Sequence, residues 1–277
     1  MGKLLACGLL ALGWQLPAYA WGDEGHRITG YIANSYLSDA TRLQLRALVG
    51  TDDLAQIATW MDDERETLNQ RLPSSSRWHY ENREVCGKTE LERSCPQGQC
   101  ITRQIAHSTN TLQDRTATAA QHADAVRILV HLLGDLHQPL HLIDNHDRGG
   151  NDVWVYLPRE KNPRRLHEVW DTRLVHMNTN RRDDRSYASI LTTRFQTERS
   201  GWEIGTVDQW AAETFLLAKT YVYSPLPGFT CQITADRSTT TALPADYIQN
   251  ARSVVDVQLA KAGARIALVL NQTLAQP

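Results

Sequence analysis

Histidine and aspartate recur in this chain at spacings that suit metal ligation. In His131-Leu132-Leu133-Gly134-Asp135-Leu136-His137-Gln138-Pro139-Leu140-His141 the first imidazole and the first carboxylate are four residues apart. An apolar, helix-favouring run from Ala117 through Val130 precedes them, so His131 and Asp135 share one helix face. Pro139 cannot continue that helix, and a turn near Gln138 swings His141 onto a different vector, towards a second centre. Leu166-His167-Glu168-Val169-Trp170-Asp171 repeats the four-residue spacing on what reads as a helical turn. Imidazole and carboxylate are borderline N and O donors, the set that suits zinc. One buried histidine is ordinarily a hydrogen-bonded core residue, but three histidines and an aspartate ending a single apolar helix exceed what packing needs. Asp62, Asp63 and Glu64 crowd the C-terminal end of the helix expected over Leu54 to Arg65, where the dipole disfavours them and a cation would be welcome.

The elements that must position these groups are mostly helical. Helical periods run from Ile28 through Tyr36, from an N-cap at Ser38 through Val49, and over Leu54 to Arg65, Ile101 to Leu112, Ala117 to Leu136, Val207 to Tyr221 and Asp246 to Leu274. Trp78-His79-Tyr80 reads as a short extended piece, and Val153 to Leu157 alternates like a strand. Pro73 to Ser76 is a loop, Asp144 to Asn151 is a Gly-Gly loop, and Glu81 to Gln99 reads as an irregular excursion held by disulfides. Asn178 to Thr206 is polar and shows no clear period. Without repeats, low-complexity tracts or linkers, the economical architecture is mainly α: one compact helical domain over residues 21–277 with a small β element.

The chain has 277 residues, 42% hydrophobic and 22% charged, enough for one large domain with an ordinary core. Lys3, the apolar run Leu4 to Leu16 and the small-x-small triplet Ala18-Tyr19-Ala20 read as a signal peptide over residues 1–20, which would leave Trp21 as the mature N-terminus of a secreted or periplasmic protein. A lipoprotein site at Cys7 is disfavoured because the apolar run before it is too short. No stretch after residue 20 is apolar enough to span a bilayer. Cys86, Cys95, Cys100 and Cys231 then remain, an even number that reads as two disulfides. Three pairings are open; the Pro/Gly turn between Cys95 and Cys100 favours a small ring there, which leaves Cys86 with Cys231. A formal net charge of −2 is not the basic balance of a protein that holds nucleic acid by charge alone, although bound cations reverse the sign locally.

Collected in order, Trp-Gly-x-x-Gly-His at Trp21 to His26, Ala-Thr-Trp-x-Asp at Ala58 to Asp62, Trp-His-Tyr at Trp78 to Tyr80, the run His131 to His141, Gly149-Gly150-Asn151 and Leu-His-x-x-Trp-Asp at Leu166 to Asp171 resemble the zinc-dependent type I nucleases of the S-one/P-one kind. The resemblance covers essentially the whole mature chain. It implies a helical, disulfide-bonded domain with a zinc cluster at the base of a cleft, and three zinc ions. One would be held by Asp62, His79, His131 and Asp135; a second by His141, His167 and Asp171; a third by the amine and carbonyl of Trp21 with His26 and Asp135, so that Asp135 bridges. Water activated by the zinc is expected to attack phosphorus in line, oriented by Asp62, with the metals neutralising the phosphoryl oxygens and the departing 3′ oxygen. Arg65 aligns with the family's basic residue beside the phosphate. Tyr80 offers a stacking face, and Asn82, Gly149, Gly150 and Asn151 offer hydrogen bonds to an unpaired base. Fungal members usually carry Asp at the place of Asn82, which changes what can be accepted and donated there. The wide spacing between Trp210-Ala211-Ala212-Glu213 and Cys231 also departs from the fungal pattern.

The expected substrates are RNA, single-stranded DNA and nucleotides, with duplex DNA and 3′-mononucleotides as further candidates and 5′-phosphorylated products. No stable protein partner is implied, and a monomer is expected. His137 is expected to be structural, as are His107, His122, His146 and His176, which sit in no matching motif. The alternatives are a zinc-dependent phospholipase C, which shares the N-terminal Trp and three-metal logic, and a catalytically silent metal-binding or adhesive exported protein, whose signature would be a lost ligand.

Overall fold

In the computed structural model, which describes residues 21–87, 93–231 and 240–274, eleven shorter α-helices accompany the 30-residue helix that ends the described chain. The helices are α1 (Asp23–Asn34), α2 (Asp39–Val49), α3 (Trp60–Asp63), α4 (Arg65–Arg71), α5 (Ile101–Gln113), α6 (Ala119–Asp135), α7 (Leu166–Glu168), α8 (Leu174–Thr179), α9 (Asp184–Arg194), α10 (Arg199–Trp202), α11 (Val207–Ala218) and α12 (Ala245–Leu274). The leader expected at residues 1–20 lies outside the described residues.

Sequence explains the frame. Ser38 caps α2 by accepting from the Thr41 N–H, and Thr118 and Gln121 form a reciprocal capping box that starts α6 two residues after the expected Ala117. From Ala123 onward α6 is almost entirely buried, which fits its continuous apolar run. The long α12 packs against α1, α6 and α8. Its approach to α1 depends on Gly263, because a Cβ there would lie 2.5 Å from Ile32.

Two expectations fail locally, and one stretch without a clear period proves helical. The span Leu54 to Arg65 is not one helix but a 3₁₀ turn (Leu54–Gln56), then α3 and α4. Asn34 fixes the entry, accepting from Leu54 N–H at 2.9 Å and donating to Asp53 at 2.7 Å, and the break at residues 57–59 frees the Ala58 carbonyl for a long-range partner. Asp62 and Asp63 therefore stand in the opening turn of α3, and the dipole argument for a cation lapses. Trp78-His79-Tyr80 is not extended; it is a turn after the 3₁₀ segment Ser75–Arg77. The polar stretch Asn178 to Thr206 contains α9, capped by Asp183 on the Ser186 N–H at 2.9 Å, and α10.

The β structure is small. Asn82–Arg83 (β1) pairs antiparallel with Arg93–Ser94 (β2) inside the expected excursion. Trp154–Tyr156 (β3) sits between Arg164–Arg165 (β4), antiparallel with Trp154 opposite Arg165, and Thr241–Ala242 (β5), parallel. Disulfides join Cys86 to Cys231 and Cys95 to Cys100, the favoured pairing.

Candidate metal centre

Asp135, fully buried at the end of α6, is the hub. Its Oδ2 lies 2.9 Å from His79 Nδ1 and 3.2 Å from His131 Nε2, and its Oδ1 lies 3.3 Å from His26 Nε2 and 3.6 Å from His141 Nδ1. His131 Nε2 is 3.7 Å from Asp62 Oδ2. Past His141, whose Nε2 is 3.8 Å from Asp171 Oδ1, a second group follows in which His167 Nε2 is 3.1 Å from Asp171 Oδ2. Among the described residues three sets of donor atoms each fall within one metal-sized space: His26, Asp62 and His131; His79, His131 and Asp135; and His141, His167 and Asp171. A fourth set, Glu81 with Cys95 and Cys100, carries no metal reading because both sulfurs are in the disulfide.

Local structure delivers these side chains. The α6 period places His131 and Asp135 on one face, and the 3₁₀ turn Pro139–His141, opened by Gln138, redirects His141. A π-helical turn, Val169–Arg173, joins α7 to α8 and carries Asp171. The imidazoles are held from behind: His131 Nδ1 donates to the Ala58 carbonyl at 2.8 Å and His167 Nδ1 to the Gly149 carbonyl at 2.6 Å, leaving each Nε2 towards the cluster. Gln138, absent from the sequence-derived site, donates to Asp171. Gly149 can serve only as glycine, since its φ is 59° and a Cβ would lie 2.6 Å from the Leu140 carbonyl.

The electrostatics favour concentrated positive charge. Burial opposes a charged His131, yet Asp135 and then Asp62 outweigh it and raise this group to about 9. Burial likewise works against ionised Asp135, but His131 and His141 hold it well below the ordinary carboxylate range. At Asp62 burial is likewise outweighed by the imidazoles, His131 first, which lower the carboxyl, whereas burial prevails at Asp171, pushed up to about 6, at His141, pushed down to about 3, and at His26, lowered with help from His131. His26 Nδ1, Asp135 Oδ1 and His141 Nδ1 are buried without a hydrogen-bond partner, which protein interiors rarely tolerate. Donor type, spacing and these unsatisfied atoms together fit a cluster of divalent cations.

The other expected residues are placed as follows. Trp21 is buried, with its indole N–H on the Gly134 carbonyl at 2.9 Å. Arg65 donates to Asp62 Oδ1 at 2.7 Å. A cleft of about 300 Å³ opens over His79, His141 and His167, and Arg65, Tyr80, Asn82, Gly149 and Asn151 line it. Gly150 is buried beneath, its N–H donating to Asp147 at 2.8 Å. His137 is tied into the fold, donating to the Leu133 carbonyl and facing Arg265 at 2.9 Å; burial and then Arg265 push it down to about 3. His107, His146 and His176 are exposed and His122 is half-buried; none joins a three-ligand set among the described residues. Arg148, Arg165 and Asp144 also line the cleft, and sequence reasoning did not single them out.

A profile of the S1/P1 nuclease family matches residues 21–275. The chain belongs to the S1/P1 nuclease family. Among its relatives, Nuclease S1 of Aspergillus oryzae is 28% identical over 305 residues, covering all of both chains. Nuclease P1 of Penicillium citrinum is 27% identical, over 91% of this chain and 97% of its own. Endonuclease 4 of Arabidopsis thaliana is 28% identical, over 92% of this chain and 89% of its own. This S1/P1 family member is accordingly a nuclease, a hydrolase of phosphoric ester bonds, and a phospholipase C is not favoured.

Proposed function

We propose that this nuclease is an exported, zinc-dependent monomer that hydrolyses RNA and single-stranded DNA to 5′-phosphorylated products, with duplex DNA and 3′-mononucleotides as further substrates. The observation that carries the reading is that His79, His141 and His167 belong to the donor sets around Asp135 and Asp171 and also line a cleft of about 300 Å³. Three zinc ions would be distributed as the family resemblance implies, with Trp21 supplying its amine once the leader over residues 1–20 is removed. Bound there, zinc lowers the pKa of water towards neutrality and offsets charge on the phosphoryl oxygens.

The protein's own part is positioning. Asp62 gives one oxygen to Arg65 and turns the other towards His131, so it can orient an attacking water while Arg65 stays within reach of the phosphate. Tyr80, 38% exposed, presents a face for stacking beside Asn82 and Asn151, an arrangement that suits unpaired bases. The test is a panel of RNA, single-stranded DNA, duplex DNA, 3′-nucleotides and a phospholipid, run with metal analysis before and after chelation. Chelation should abolish hydrolysis and zinc should restore it; full activity in the metal-free protein would end the reading.

A further inference from the structure

Three guanidinium groups line the cleft, and their surroundings differ. Arg65 is committed to Asp62 at 2.7 Å. Arg148 is committed to Asp152 through two bonds of 3.0 and 2.6 Å. The Arg165 guanidinium makes no hydrogen bond or ion pair with a protein group among the described residues, although its neighbour Arg164 pairs with both Glu160 and Glu168. Arg165 is nevertheless held. It is half-buried, sits directly opposite Trp154 across the β3–β4 pair, and lies over that indole at 5.7 Å. It also stands two residues before His167, at the start of α7, so its backbone is fixed by the turn that carries a metal-facing imidazole.

A guanidinium held in cation–π contact with an indole, with its planar fork unspent and lining a cleft, is suited to a phosphate. Arg65 and Asp62 already stand beside the donor cluster, where the scissile phosphate would be bound. We propose that Arg165 holds a second phosphate of the substrate strand, one nucleotide removed from the scissile one on the His167 side, and thereby makes the enzyme prefer chains over minimal substrates. This rests on the nuclease site proposed above.

The experiment compares a dinucleoside monophosphate, which has only the scissile phosphate, with two extended forms: one carrying a 5′-phosphate and one a 3′-methylphosphate. Wild-type rates on all three report on the nuclease site itself. The ratio of kcat/KM for an extended form to that for the minimal form reports on Arg165. In Arg165→Gln this ratio should fall about tenfold for one extended form, through KM, because a charge-assisted pair is lost. The salt dependence of log KM for that form should flatten by about 0.7 per decade, one single-strand phosphate contact. Trp154→Leu, which removes the platform but keeps the charge, should lower the ratio less. A fall of equal size on all three substrates, or an unaltered ratio for both extended forms, would overturn the assignment. If wild-type protein cleaves none of the three, the nuclease site falls and this subsite with it.

Discussion

The Gly149 carbonyl that orients His167 is itself held from below, and Tyr223→Phe tests how much depends on that support. Asp147 is buried beneath the loop and accepts from the Gly150 N–H at 2.8 Å, while the Tyr223 hydroxyl donates to both of its oxygens at 2.8 and 2.9 Å. Phenylalanine keeps the ring packing on Phe229 but leaves a buried carboxylate short of one donor. Losing a hydrogen bond to a buried charged group costs about 2 kcal/mol. For a domain of this size that corresponds to a melting temperature lower by about 4–8 °C. The sign with pH follows from Asp147. Burial raises its pKa and the Tyr223 hydroxyl pulls it back, so removing the hydroxyl raises it further. The deficit is therefore full where Asp147 is ionised and shrinks as pH falls through its folded-state value. Zinc affinity should fall about tenfold as His167 loses its fixed orientation. Thermal melts of the metal-free protein across pH, with zinc titrations, measure both. A metal-free melting temperature within about 1 °C of wild type above neutral pH would refute the reasoning.

Other outcomes follow from the same geometry. Asp135→Asn should lose more zinc and more turnover than His167→Ala, because one carboxylate faces four imidazoles; equal stoichiometry by metal analysis would count against a bridging role. Protein beginning at Trp21 should hold one more zinc than the same chain with an extra N-terminal glycine, since an amide nitrogen is a poor donor; equal content would remove Trp21 from the ligand set. Burial opposes ionisation of Glu213, but Lys261 and Arg265 outweigh it and keep its carboxyl below the usual 4.5. The stabilisation is present above that value and lost as pH falls through the lower folded-state one, so melts of Glu213→Gln and wild type should differ above pH 4.5 and converge in acid.

What could be read in advance was what repeats at short range. His131 with Asp135, and His167 with Asp171, show themselves because a helical turn brings positions four apart together, and α6 announces itself by a continuous apolar run closed by proline. The small ring at Cys95 to Cys100 was legible for the same reason. Contacts made across the chain were not. The helix expected over Leu54 to Arg65 breaks because Asn34 claims Leu54 and Asp53 and because His131 needs the Ala58 carbonyl, partners 19 to 73 residues away. Trp78 to Tyr80 has the composition of a strand, yet its turn lets Tyr80 and Glu81 bond to Ile101 and His141. In α9 only Tyr187, Ala188 and Leu191 are buried, too few to raise a period above its polar surroundings. Nothing local marks Gln138, Tyr223 or Arg165, whose roles exist only once β3, β4 and two π-helical turns, Val169–Arg173 and Lys219–Tyr223, are in place.

One of those turns carries a further consequence. A π-helical turn holds one residue more than the α-helix around it, so the continuous rod from Leu166 to Thr179 contains, in effect, an insertion at Val169–Arg173. Deleting one residue there would restore ordinary pitch without turning the helix beyond it, because the extra residue is absorbed within the turn. Leu174, Val175, Asn178 and Thr179 would keep their places in the interior, while the positions inside the turn, Asp171 among them, would shift relative to His167 and Gln138. The extra residue therefore serves the placement of Asp171 and is not needed to pack the helix that follows.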